Sequence, residues 1–340
     1  MSDTDEQSAQ ALPETSMPQV LVVDTHGIDA PEAEAVVAEA VRGAVEHIGR
    51  MVDLSTLDGV TVAADHGAAI KDLDRGHPDL RAVSVTNGNA VGMGMTVMVV
   101  REGQLRSHIF LGLQAVAPLV LPDRPSDYAA HLIAHECTHV EVTARFDRCF
   151  PGHLLNRNLS VVEEIRWDVA LGCIDEYLVT HICATAGADM TEPYEVLFLE
   201  ALAQCPAEAN DAVRAFAGHG DRFQALQGVL RAYGTLIKRA AYHLGNLDGH
   251  GKSTDDLPQT QDALAKHWLG PYILRFHEAF KRTASGYGKW PDATPFMEIA
   301  ILYEELLAEV GVIYEETGRR RLWIDLSGAV ARVSLQPAKG

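Results

Sequence analysis

Basic residues are scarce in this chain: 28 lysines and arginines stand against 47 aspartates and glutamates, leaving a net charge of −19. That shortage argues against a nucleic-acid partner, whose phosphate backbone demands clustered cations. The one dense basic run, Arg319-Arg320-Arg321, precedes a short apolar stretch and reads as a solvated edge. Long apolar runs are missing too. Nothing approaches the roughly 18–20 residues of a bilayer span, so no membrane partner is expected. Residues 1–18 are acidic and polar, without the positive start and apolar core of a secretory signal, and read as a disordered tail. Cysteines are few. Cys137, Cys149, Cys173, Cys183 and Cys205 are scattered, odd in number and form no Cys-x-x-Cys pair. Free thiols in a reducing cytoplasm are the simplest reading.

What is present is an ordinary globular composition, 47% hydrophobic and 22% charged. Residues 19–24 and 60–64 read as strands, with a helix opening at Pro31 and running to about Val52 between them. Two β-favouring runs, 94–101 and 107–113, flank Glu102-Gly103-Gln104 and predict a hairpin. After Pro125 the apolar period lengthens from two to about 3.6. Helices are expected at 128–150, at 160–185 with Ser160 and Glu163 as a capping box, and at 194–204, 208–217, 221–244, 259–283 and 294–317. The segment 246–258 reads as a loop and 321–326 as a last strand. The organisation is therefore a tail (1–18), a mixed α/β part (19–150) and a helical lobe (151–340).

Residues 135–139 read His-Glu-Cys-Thr-His within the 128–150 helix. Residues four apart on a helix lie about 40° from each other around the axis, so His135 and His139 project from one face, one turn apart. Two imidazoles so placed suit one tetrahedral Zn²⁺. Glu136, one residue further round, is suited to act as general base on a metal-activated water. Cys137 lies between the histidines and points off their face, as a packing residue.

With this motif the chain resembles the zincin metallopeptidases, mainly over residues 95–180. The resemblance implies an α+β, zincin-like fold: a small mixed sheet and an active-site helix, followed by a mostly helical lobe. It implies one Zn²⁺ per chain, a peptide or protein substrate, and an edge strand that aligns an extended peptide. Glu141 departs from the family, which usually has an apolar residue there. Val142 and Arg145 exclude the metzincin continuation. The gluzincins take a third ligand from a following helix, often within Glu-xxx-Asp, and Glu164-Ile-Arg-Trp-Asp168 matches. Glu164 is thus the expected third ligand, with Asp168 holding a ligand imidazole from behind.

Other assignments stay open. Glu163, Asp168 or Asp175 are competing third ligands, and Glu163 and Glu164 also suit a plain acidic helix start. His131, one turn before His135, is a packing histidine or an alternative ligand. Tyr177, His181, Tyr242 and His243 are candidates for stabilising an oxyanion, and His250 is read as a loop residue. The competing function is a non-catalytic zincin-like or helical protein-binding scaffold.

Overall fold

The alternating runs of the first third form a four-stranded sheet in the computed structural model, which describes residues 13–335 except 29, 79, 81–92, 122, 157 and 319. The chain divides into two compact units, Met1–Ala144 and Arg145–Gly340. Its class is mixed α+β, with a small mixed sheet in the first unit and helices dominating the second.

In the first unit the order is β1 (Val23–His26), α1 (Pro31–Ile48), β2 (Leu57–Ala63), α2 (His66–Asp72), β3 (Gly94–Arg101), β4 (Gln104–Gly112), α3 (Leu113–Val116) and then α4 (Asp127–Cys149), which continues into the second unit. The strands lie in the order β1-β2-β4-β3. β1, β2 and β4 are parallel, and β3 runs antiparallel on the outside. The hairpin turn is the predicted one: Glu102 and Gly103 both have positive φ, 54° and 77°, the backbone that matches the twist of two paired strands. One sheet face packs Val97, Val99 and Phe110 against Ile70 of α2.

Two boundaries differ from expectation. β1 starts at Val23 rather than Gln19, because pairing with β2 begins at Val23↔Val60 and leaves Val20 84% exposed. Residues 13–18, read as tail, lie against the end of α1: the Ser16 hydroxyl contacts the Gly49 and Val52 carbonyls and accepts from the Leu54 amide. The rest of the expected tail, and much of the loop before β3, lie outside the described residues.

The second unit takes the last turn of α4 and continues through α5 (Val161–Cys183), α6 (Thr191–His219), α7 (Arg222–Gly249), α8 (Pro258–Lys266), α9 (Gly270–Ser285), α10 (Thr294–Glu309), β5 (Ile313–Gly318), β6 (Arg321–Asp325) and α11 (Ser327–Leu335). Phe146 at the end of α4 packs edge-on against Trp167 of α5 and Phe296 of α10. That aromatic cluster explains why the division falls inside α4 and not at residue 150.

The two helices expected around Pro206 are one, α6. Its buried stripe Phe198, Leu202, Cys205, Ala209 and Val213 runs straight through the proline, and this burial outweighs the roughly 3 kcal/mol a mid-helix proline costs. The expected 294–317 helix stops at Glu309. Gly311, at φ 83°, turns the chain into the β5–β6 hairpin. Similarly, the 259–283 segment breaks into α8 and α9 at His267–Leu269, and α7 runs on to Gly249, shortening the expected loop. Among the described residues no helix is long and apolar enough to cross a membrane.

Candidate metal centre

α4 puts the two histidines where its period requires. The Nε2 atoms of His135 and His139 are 3.1 Å apart, and the rings meet nearly edge-on, 4.8 Å between centroids. Two nitrogens bound at about 2.05 Å to a tetrahedral zinc lie about 3.3 Å apart. The observed pair fits that bite to a few tenths of an ångström.

Glu136 is buried on the same helix. Its carboxylate is fixed by β3: the Thr96 hydroxyl lies 2.8 Å from Oε2 and 2.9 Å from the Glu136 carbonyl. Gly94, two residues earlier on the strand, leaves the space the carboxylate occupies. A Cβ there would fall 2.7 Å from Oε1 and 2.8 Å from Cγ. Glu141, the departure from the zincin pattern, accepts the Asp53 backbone N–H at 2.6 Å, so this buried carboxylate has a structural task within its own unit. Cys137 is fully buried, and burial together with the neighbouring Glu136 charge pushes its thiol well above the ordinary range. It is a packing residue and not a thiolate. His131 is buried one turn earlier, its ring 6.2 Å from that of His135.

The acidic residues of α5 fall into different environments. Glu163 closes the capping box with Ser160; that backbone hydrogen bond, then the one from the serine side chain, hold its carboxyl below the usual range. Glu164 faces Arg320, with both carboxylate oxygens 3.3 Å from the guanidinium. Asp168 is exposed and Asp175 half-buried. Glu176 alone of the five is buried. Its Oε1 meets the Lys238 ammonium of α7 at 2.8 Å, and this charge holds the Lys238 pKa above its ordinary value.

α7 locks α5 in place around that residue. Gly245 and Gly249 let the helix backbones touch: a Cβ at either would stand 2.3 Å from the carbonyl of Tyr177 or His181. Tyr177 donates its hydroxyl to Asp248, which also meets His277 Nε2 at 2.7 Å. Burial, reinforced by Asp248, raises the Tyr177 phenol strongly. Of the other oxyanion candidates, His181 stacks on Tyr177, Tyr242 packs on Tyr194, and His243 is fully buried on Thr260. His250 follows α7 as its C-cap.

Glu176 was not singled out in the sequence, although a signal existed: it continues the buried series Trp167, Ala170, Cys173 at a spacing of three, an acid where an apolar residue belongs. Two imidazole nitrogens one helical turn apart are a donor pair suited to zinc. The chain matches no family model, no curated protein and no solved structure.

Proposed function

We propose that the protein is a zinc-dependent metallopeptidase of zincin type, in which His135 and His139 hold the metal and Glu136 is the general base. The observation that carries this reading is the 3.1 Å approach of the His135 and His139 Nε2 atoms. A plain hydrogen bond between two imidazoles has the same length. The buried Glu136 carboxylate on the same helix, held by Thr96, favours the metal.

Of the acids on α5, Glu164 is engaged by Arg320 near the surface, whereas Glu176 is buried. A zinc ion held by the two histidines would supply Lewis acidity toward a scissile carbonyl and a water. Glu136 takes a proton from the attacking water and delivers it to the leaving amine. Thr96 keeps that carboxylate aimed. β3, antiparallel on the outside of the sheet, supports peptide as the substrate class, since an outer strand can align an extended chain by main-chain hydrogen bonds. All five cysteines are free thiols, in keeping with the cytoplasm as location.

The test is metal content by elemental mass spectrometry on untagged protein, followed by a peptide-library screen. About one zinc per chain, lost in His139→Ala, is expected, and Glu164→Gln and Glu176→Gln measured alongside identify the acid that serves as third ligand. Cleavage should vanish in Glu136→Gln. Wild-type protein that takes up no zinc would sink the enzyme and leave a helical binding protein.

A further inference from the structure

We propose that the cleft between α5 and α7, inside the second unit, is a binding site for a small carboxylate with an apolar body. Near their C-terminal ends the two helices are in backbone contact, where Gly245 and Gly249 of α7 meet the Tyr177 and His181 carbonyls. Toward their N-termini the same helices leave an open cleft of about 370 Å³, within the roughly 300–1,000 Å³ of ordinary ligand pockets. Its apolar lining is half-buried Ile165 and Val169 of α5, Leu230 of α7 and the buried ring of Tyr303 from α10. The Tyr303 hydroxyl donates to the Leu230 carbonyl at 2.6 Å. Burial pushes the Cys173 thiol beside it up to about 12, so the floor carries no charge.

Two glycines keep that space. Gly172 of α5 and Gly234 of α7 both line the cleft in mid-helix, where glycine weakens a helix relative to alanine. Packing demands neither of them, unlike Gly245 and Gly249. A Cβ at Gly172 would meet nothing within 4 Å, and one at Gly234 only the Tyr303 hydroxyl at 3.6 Å, an ordinary contact. What a larger side chain would occupy is the cleft itself.

The polar groups of the lining select the ligand. Arg231 and Thr235 stand about one turn apart on the cleft side of α7. Among the described residues neither has an ion-pair or hydrogen-bond partner. A guanidinium binds a carboxylate through two parallel hydrogen bonds, and a hydroxyl one turn on can donate a third. Lys238, the other cation of the lining, is already paired with Glu176 at 2.8 Å. Asp168 also lines the cleft, and its negative charge disfavours anions of higher charge, such as phosphate esters. The net charge of −19 does not decide against an anion, because physiological salt screens charges beyond about 8 Å. One carboxylate on an apolar body fits these groups.

The probe is octanoate, titrated into full-length protein by isothermal titration calorimetry, with octanol as its uncharged counterpart and circular dichroism to report the fold. One octanoate per chain is expected, bound about tenfold more tightly than octanol. Arg231→Gln, a change at an exposed position, should weaken octanoate about tenfold and leave octanol unchanged. Gly172→Leu should abolish binding of both by filling the cleft, with the melting temperature kept or raised, since leucine is the better helix former. Wild type that takes up no octanoate overturns the site, and so does binding undiminished in Gly172→Leu. Octanoate binding unchanged in Arg231→Gln, or octanol bound as tightly as octanoate, overturns the carboxylate as its ligand class.

Discussion

Thr96 on β3 and Glu136 on α4 are joined twice, the threonine hydroxyl lying 2.8 Å from the carboxylate and 2.9 Å from the carbonyl of the same residue. The proposed base is therefore fixed by the sheet and not by its own helix. A hydrogen bond to a charged group contributes about 1.5–3 kcal/mol. Thr96→Val should lower kcat/KM on a cleaved peptide by about one to two orders of magnitude, at unchanged zinc content. Glu136→Gln should lower it by about 10²–10⁴-fold. Activity unchanged in Thr96→Val would remove the strand from the mechanism.

Gly94 makes the same arrangement testable by sterics alone. An added methyl must displace the Glu136 carboxylate, which it would meet at 2.7 Å. Gly94→Ala should impair hydrolysis more than it lowers the melting temperature, because the far end of a side chain yields more easily than the fold. The expected loss of stability is about 1–3 kcal/mol or less. A fully active variant would place Glu136 elsewhere in the working protein.

Metal should stabilise the fold through the donors. A ligand that binds only the native state at 100 times its Kd adds about 2.7 kcal/mol. A chelator should thus lower the thermal midpoint of wild type and leave that of His139→Ala unmoved. Equal shifts in both proteins would point to metal bound outside this site.

The buried His243 makes a prediction about pH. Burial, with a smaller contribution from His277, lowers its pKa from 6.5 to about 4. The unfolded chain therefore accepts a proton near 6.5 that the folded protein refuses until about 4. Stability should fall as pH drops through that window, by at most about 3 kcal/mol from this group, and level off below it. Urea midpoints at pH 7 and pH 4.5 measure this. His243→Gln should show a shallower slope, and an unchanged slope would assign acid sensitivity to other groups.

Gly245 sets substitution propensity against packing. In an isolated helix, alanine is better than glycine by about 1 kcal/mol. Here its Cβ would lie 2.3 Å from the Tyr177 carbonyl and 2.4 Å from the Thr180 hydroxyl. Gly245→Ala should therefore destabilise the protein by about 1–3 kcal/mol in chemical denaturation, whereas a stabilised variant would mean that α7 stands further from α5.

Local signals were legible where neighbours in sequence decide the structure. Alternation and the Glu102-Gly103 turn define the β3–β4 hairpin, and Ser160 with Glu163 defines the start of α5. Pro206 misleads for the opposite reason: its local cost is outweighed by a buried stripe contributed by distant partners. The β5 strand was hidden because 313–318 continues an apolar-acidic pattern that also suits a helix, until Gly311 reverses the chain.

The sequence by itself determined that His135 and His139 share a helix face and that Glu136 stands beside them, because helical geometry fixes the relation of residues one turn apart. What becomes of the acids on α5 is of another kind. Five acidic residues lie along α5, chemically alike in the sequence. Tertiary packing separates them, giving Glu163 to a cap, Glu164 to Arg320 and Glu176 to the interior beside Lys238. Burial and charge pairing depend on residues tens of positions away, so only the folded chain could make that choice.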